Sequence, residues 1–314
     1  MATTEAAVPI KGEDTPRGFA FALTAYVMWG FLPFYMKALG HIPAAEIIAH
    51  RIVWSVPVAG LILVALRRTA DLKAALRQPK MLAMALLTAI LISINWGTYV
   101  WAISVGRTLD TALGYYINPL FSVFLGAIVL KEKLTPLQIA AIVMAVSAVV
   151  VLTFDSGGLP WVSLVLTFSW GFYAFFRKTL PIGPNQGFFL EVLLLTPFAA
   201  GYLIYLTATG NNHFLSDGPF DTLLLASAGL VTAVPLVIYA NGAKLLKLST
   251  IGIMQYIAPT MIFLIAVFAF GEAFTPAKAI AFPLIWGALV LYTWSMLRQS
   301  RMKVITEPTV TSKL

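Results

Sequence analysis

The chain has 314 residues, of which 60% are hydrophobic and only 11% charged; its formal charge is +8 and it contains no cysteine. Soluble globular domains run near a quarter charged, so that class is excluded, and the missing thiols exclude a disulfide scaffold, thiol catalysis and Cys-type metal sites. Ten spanning helices of about 20 residues take up roughly two thirds of such a chain, leaving little for a soluble domain of about 50 residues or more.

In chain order, residues 1–16 are polar, with Pro9, Lys11, Glu13, Asp14 and Pro16, and read as a short disordered cytoplasmic lead. Ten apolar stretches follow, at 17–38, 44–66, 80–104, 108–130, 134–153, 160–179, 184–207, 219–243, 248–270 and 275–297. Each is long enough to span, and none shows the polar face of a soluble helix. Short connections hold the turn formers: Gly40 to Pro43, Asp155 to Pro160, Pro181 to Pro184 and Gly210 to Pro219. Residues 298–314 are read as a cytoplasmic tail. The first stretch exceeds the roughly 7–15 apolar residues of a signal peptide, so it counts as a retained span.

Basic residues set the expected orientation. With the N-terminus inside, the cytoplasmic side receives 17 of the 21 Lys and Arg, and the outer side only Lys37, Arg107 and Lys278. Arg51 is left within a span. Both termini are therefore expected in the cytoplasm, in a multi-pass protein of the bacterial inner membrane. The positive charge serves topology, and no nucleic-acid partner is expected.

The chain also repeats itself. Tyr116-Ile117-Asn118-Pro119 recurs as Tyr256-Ile257-Ala258-Pro259, and Glu132, Leu134, Thr135 and Pro136 recur as Glu272, Phe274, Thr275 and Pro276, all at an offset of 140. The same offset pairs Tyr99 with Tyr239, Pro57 with Pro197 and Arg51 with Glu191. At 141 it pairs Trp29-Gly30-Phe31 with Trp170-Gly171-Phe172, and Lys37 with Lys178. The fold class is therefore an all-α polytopic membrane protein, with one five-helix unit over 17–153 and a second over 160–297. Because five is odd, the second unit enters the membrane inverted. The charges agree: Lys131 and Lys133 have become Gly271 and Ala273 on the other side. Inverted repeats are a transporter architecture with a midplane site between the halves.

Several polar and proline-bearing runs carry a resemblance. They are Glu46-x-x-x-His50-Arg51, Asn95-Trp96 with Trp101-Ala102, Leu113-Gly114-Tyr115, Asn118-Pro119-Leu120, Arg177-Lys178, Leu190-Glu191, Thr232-Ala233-Val234-Pro235-Leu236 and Gln255-Tyr256-Ile257-Ala258-Pro259. In that order, from Trp29 to about Trp294, the chain resembles the EamA family of the drug/metabolite transporter superfamily, and within it the RarD group. The resemblance implies a ten-helix inner-membrane permease and leaves its cargo undefined.

Ionisable groups inside spans are costly, so each is a candidate. Arg51 and His50 lie two turns into the second span, and Glu46 is one turn from His50 on the same face. Glu191, the repeat mate of Arg51, lies two turns into the seventh span from the opposite side. Arg51 offers a permanent charge and a planar fork for an anion, while Glu191, or Glu46 with His50, is a candidate proton carrier. Two structural alternatives stand beside these roles: Arg51 paired with Glu46, and Glu191 paired with Arg177 or Lys178.

Pro119, Pro259, Pro57 and Pro197 are expected to break their helices. The first two would free the carbonyls of Tyr115 and Gln255 at mid-membrane, making Tyr116, Asn118, Gln255 and Tyr256 the expected floor of a site. Trp29, Asn95, Trp96, Tyr99, Trp170 and Tyr239 add an aromatic lining suited to a planar or cationic organic solute. Trp29 and Trp170 are expected as gates facing one another.

No Walker motif, H-E-x-x-H or G-x-S-x-G run is present, and His41, His50 and His213 are too scattered in sequence for a metal triad. No metal and no cofactor are expected. The partners expected are a small-molecule substrate and the lipid bilayer; the oligomeric state is left open. The function read from the sequence is secondary transport by alternating access, not catalysis. Facilitative uniport on the same fold stands as the alternative, ahead of an intramembrane enzyme using Glu46, His50 and Arg51, or a receptor.

Overall fold

The computed structural model describes residues 14–306 except Arg68, Ala70, Asp71, Lys73, Ala74, Leu130, Glu132, Leu180 and Lys244. The expected disordered lead over 1–13, the role of Glu132, the side chain of Lys178 and the end of the tail lie outside the described residues.

Proline opens most of the helices. It occupies the first position of α1 (Pro16–Ala38), α3 (Pro79–Ser104), α5 (Pro136–Ser156) and α7 (Pro184–Thr209). Proline at that position loses no hydrogen bond, because the first turn's N–H groups have no intrahelical partner. The remaining passes are α2 (Ala44–Ala65), α4 (Thr108–Val129), α6 (Trp161–Thr179), α8 (Pro219–Ala243) and α11 (Pro276–Thr306). The ninth pass is composite: α9 (Leu248–Met254), α10 (Ile257–Leu264) and a π-helical turn at Ile265–Ala269. Thr135 caps α5 in a reciprocal box with Gln138. Gly157 and Gly210, at φ of 65° and 70°, end α5 and α7 in the left-handed region.

Among the described residues nine helices are long and apolar enough to cross a membrane. The sixth pass, α6, is not one of them, because this 19-residue helix carries Arg177 and Lys178 at its end, which lower its mean hydropathy. Its interior polar groups are satisfied by neighbours. Ser163 donates to the Asp110 carbonyl at 2.7 Å and Thr167 to that of Gly114 at 3.0 Å. The tenth pass outruns its expected end at 297 and continues to Thr306.

The packing reproduces the repeat. The extensive pairs α2·α7 and α5·α11, and the pair α4·α10, each join a helix to its own repeat mate. The other large contacts come in mated couples: α1·α8 with α6·α3, α4·α6 with α10·α1, and α2·α8 with α7·α3. A two-fold exchange of the units thus maps these main contacts onto one another. Its axis passes between α2 and α7, between α4 and α10, and between α5 and α11.

The prolines behave less symmetrically than expected. α2, α4 and α7 run unbroken through Pro57, Pro119 and Pro197. One missing N–H in a long membrane helix is tolerated when neighbours hold the backbone. Only at Pro259 does the helix part, at Gln255–Tyr256, where the ring meets the carbonyl four residues back. There the Thr260 hydroxyl donates to the Tyr256 carbonyl at 2.7 Å.

Four cross-unit ties close the face opposite the termini. Glu46 accepts from the His213 N–H at 2.8 Å, and His41 meets Asp221 at 2.9 Å. Glu272 accepts from the N–H groups of Thr108 and Leu109 at 2.6 and 2.8 Å, capping α4 from the other unit. Lys278 lies 3.8 Å from Asp110. On the terminal face, Asp14 accepts from the Lys247 N–H at 2.9 Å, and that bond holds its carboxyl below its ordinary value.

Candidate solute-binding site

Arg51 sits seven residues into α2, about 10 Å along its axis, and is 3% exposed. Its Nε donates to the Thr232 hydroxyl on α8 at 3.1 Å. Its guanidinium lies 4.7 Å from the centre of the Trp96 ring on α3, a cation–π distance. The phenols of Tyr99, Tyr115 and Tyr35 lie within electrostatic reach of it. Its Nη1 has no acceptor. The pairing with Glu46 does not form, because His213 has taken that carboxylate: its ring Nδ1 lies 2.6 Å from Glu46 Oε2.

Glu191 occupies the matching place in α7 and is 1% exposed. It meets Arg177 Nε at 3.3 Å and accepts from Thr88 on α3 at 2.8 Å and from Tyr173 at 3.2 Å. Arg177 also donates to the Pro184 carbonyl at 2.8 Å, which anchors it at the turn between α6 and α7. Each buried ion of the α2/α7 pair is therefore held by a threonine from the mated helix, Thr232 of α8 or Thr88 of α3. No Arg51–Glu191 bridge forms.

Aromatic rings connect the two ions. Tyr99 and Tyr115 lie 5.8 Å apart, Tyr115 and Trp170 6.5 Å, and Trp170 and Tyr173 5.6 Å, with Tyr173 bonded to Glu191. Asn95 holds this row in place. It donates to the Leu166 carbonyl at 3.1 Å and the Ser169 hydroxyl at 3.0 Å, and accepts from Tyr115 at 3.1 Å. That knot ties α3 and α4 of the first unit to α6 of the second.

Of the residues expected at the site, Arg51, Asn95, Trp96, Tyr99, Trp170 and Glu191 come together. Trp29 and Tyr239 do not join them: with Tyr26 they form a separate cluster, at 5.7, 5.7 and 5.5 Å between ring centres. That cluster lies on the α1·α8 contact, the repeat mate of α6·α3, so Trp29 and Trp170 occupy equivalent places without facing one another. Tyr116 turns away as well. It shares a 2.7 Å hydrogen bond with Thr260 and packs on Phe282 and Trp286. Gln255 bonds back to the Gly252 carbonyl at 3.0 Å, and Asn118 and Tyr256 lie with Tyr116 along α4 and the ninth pass, outside the Arg51 shell. His50 leaves both ring nitrogens unpaired beside Phe214, at 4.9 Å. It lines a groove of about 450 Å³ with Trp54, Leu203, Thr207 and Asn212, which Arg51 does not line.

Sequence reasoning missed Thr88, Tyr115 and Thr232 as site residues. One step along a helix turns a side chain by about 100°, so Tyr115 and Tyr116 look to different neighbours. It also missed a surface grouping: His41, Asp217 and Asp221 bring ligand atoms within 4.8 Å of one another.

Residues 16–154 match the EamA-like transporter family. A protein named RarD from Streptomyces exfoliatus is 41% identical over 293 residues, 93% of each chain. An uncharacterized transporter, YojE, from Bacillus subtilis is 40% identical, covering 92% of this chain and 97% of its own. A chloramphenicol-sensitive protein RarD from Pseudomonas aeruginosa is 33% identical, covering 91% and 96%. One solved structure, 20% identical, superposes with a TM-score of 0.58 over 90% of this chain and 98% of its own, and speaks to the fold alone. A buried charge between two inverted five-helix units and this likeness along nearly the whole length agree: the chain belongs to the EamA-like transporter family, beside relatives named RarD.

Proposed function

We propose that the chain is a secondary transporter moving a small organic solute across the bacterial inner membrane by alternating access, with both termini cytoplasmic. The observation that carries this reading is Arg51, buried where α2, α3 and α8 meet and thus touched by both repeats. The two units rock about the axis between α2 and α7, exposing the Arg51 and Trp96 surface to one face and then the other. Trp96, Tyr99, Tyr115 and Trp170 line the path, and Asn95 keeps their spacing. Glu191 is the coupling candidate. Its bond to Thr88 crosses between units, so rocking changes what holds its charge.

Counterflow in proteoliposomes tests the reading, using compounds that stabilise the purified protein in a panel of amino acids, amines, nucleobases and amphenicols. Saturable exchange lost in Arg51→Gln supports it; exchange untouched in both Arg51→Gln and Glu191→Gln retires the site. An imposed pH gradient reads the coupling separately. Flux indifferent to the gradient in both directions leaves facilitative uniport.

A further inference from the structure

Among the described residues the buried carboxylate, imidazole and guanidinium side chains are Glu46, His50, Arg51, Glu191 and Asp221. Each carboxylate has a partner: His213 for Glu46, Arg177 for Glu191 and His41 for Asp221. Arg51 has none, for no ion pair among the described residues includes it. The repeat shows where the partner is lacking. In the register that matches Trp170 to Trp29, Arg177 corresponds to Met36. The second unit supplies a counter-ion for its buried charge; the first supplies a methionine, itself fully buried.

An unpaired ion away from water is strongly disfavoured. A guanidinium cannot relieve that by losing its proton. Aromatic faces soften the cost without cancelling the charge. A group that visits the site and brings one negative charge cancels it. We infer that the transported solute is an organic anion, a carboxylate that docks on the free edge of Arg51 while a planar body lies against Trp96, Tyr99 and Tyr115. This deepens the transport reading and rests on it. It also revises the cationic solute suggested by the aromatic content alone, since a cation is repelled by Arg51. A carboxylate suits the site better than phosphate, because one guanidinium balances one charge.

Four probes separate head group from body: 3-phenylpropionate, its amide, 3-phenylpropylamine, and inorganic phosphate as an anion without a ring. Thermal shift on detergent-purified protein is the readout. The acid is expected to stabilise saturably, with the other three about tenfold weaker or worse. Arg51→Gln loses the acid response, yet its ligand-free Tm stays at or above that of the native protein, because no carboxylate is orphaned. Arg51→Lys keeps the preference for acid over amine. The inference is overturned by equal response to acid and amine, or by equal response to phosphate. A native protein blind to the acid, an acid response unchanged in Arg51→Gln, or a collapsed ligand-free Tm in that variant overturns it too. Counterflow of the acid in proteoliposomes reads transport alone. Acid binding without counterflow retires the transporter and keeps the head-group assignment; counterflow of the amine at the acid's rate retires the assignment and keeps the transporter.

Discussion

Arg51 and Glu191 hold the same place in their repeats, and their surroundings explain why their replacement should have opposite effects. Glu191 is closed electrically by Arg177, so Glu191→Gln strands a largely buried guanidinium; the side chain of Arg177 is 14% exposed. Removing one partner of such a pair costs about 3–5 kcal/mol, and most of it should return in the double variant with Arg177→Gln. Chemical unfolding in detergent of the two single variants and the double checks this; additive losses contradict it. The sequence placed these two ions inside apolar spans but left their partners open between alternatives. Three residues are conspicuous by type in this chain, His41, His50 and His213, and looked scattered. Folding brings two of them to carboxylates at the face opposite the termini, across 180 and 167 residues of chain.

At the scale of elements, proline and glycine act through close geometry. Gly229 on α8 lies so near the α2 backbone that an added Cβ would stand 2.2 Å from the Trp54 carbonyl carbon. Gly229→Ala must therefore push the two helices apart, with a destabilisation of about 1–3 kcal/mol typical of overpacking. Gly201, with nothing within 4 Å of its Cβ position, is the control, and its replacement by Ala should be neutral or stabilising. Thermal unfolding of both variants decides; equal losses remove the case for a tight α2·α8 crossing. Proline is informative only in context. Pro119 and Pro259 are sequence mates, yet the helix parts only at the second. Pro259→Ala should let the ninth pass close through Gln255 and Tyr256, read as slower hydrogen exchange there. Pro119→Ala should leave the exchange of α4 unchanged, because that helix is already continuous. The positions of the passes were legible from apolar length and proline starts. The broken one was not, because a proline's effect depends on what holds the backbone beside it.

For the whole molecule, the ties on the face opposite the termini join one unit to the other, so they would oppose the rocking proposed above. Weakening two of them with Glu46→Gln and Asp221→Asn should open that face. The absence of cysteine makes the test clean: spin labels at Ala45→Cys and Ser216→Cys, one on each unit, should move further apart in the double variant. An unchanged distance distribution would show that these bonds do not hold the units closed. By itself the sequence determined the passes and the inverted repeat. These follow from apolar length and a constant offset, both of which are local or periodic along the chain. The tertiary structure decided which charges are matched. Ion pairing depends on which faces of α2, α6, α7 and α8 meet across the pseudo-two-fold. That is why Glu191 found Arg177, Glu46 found His213, and Arg51 was left with aromatic rings and no acid.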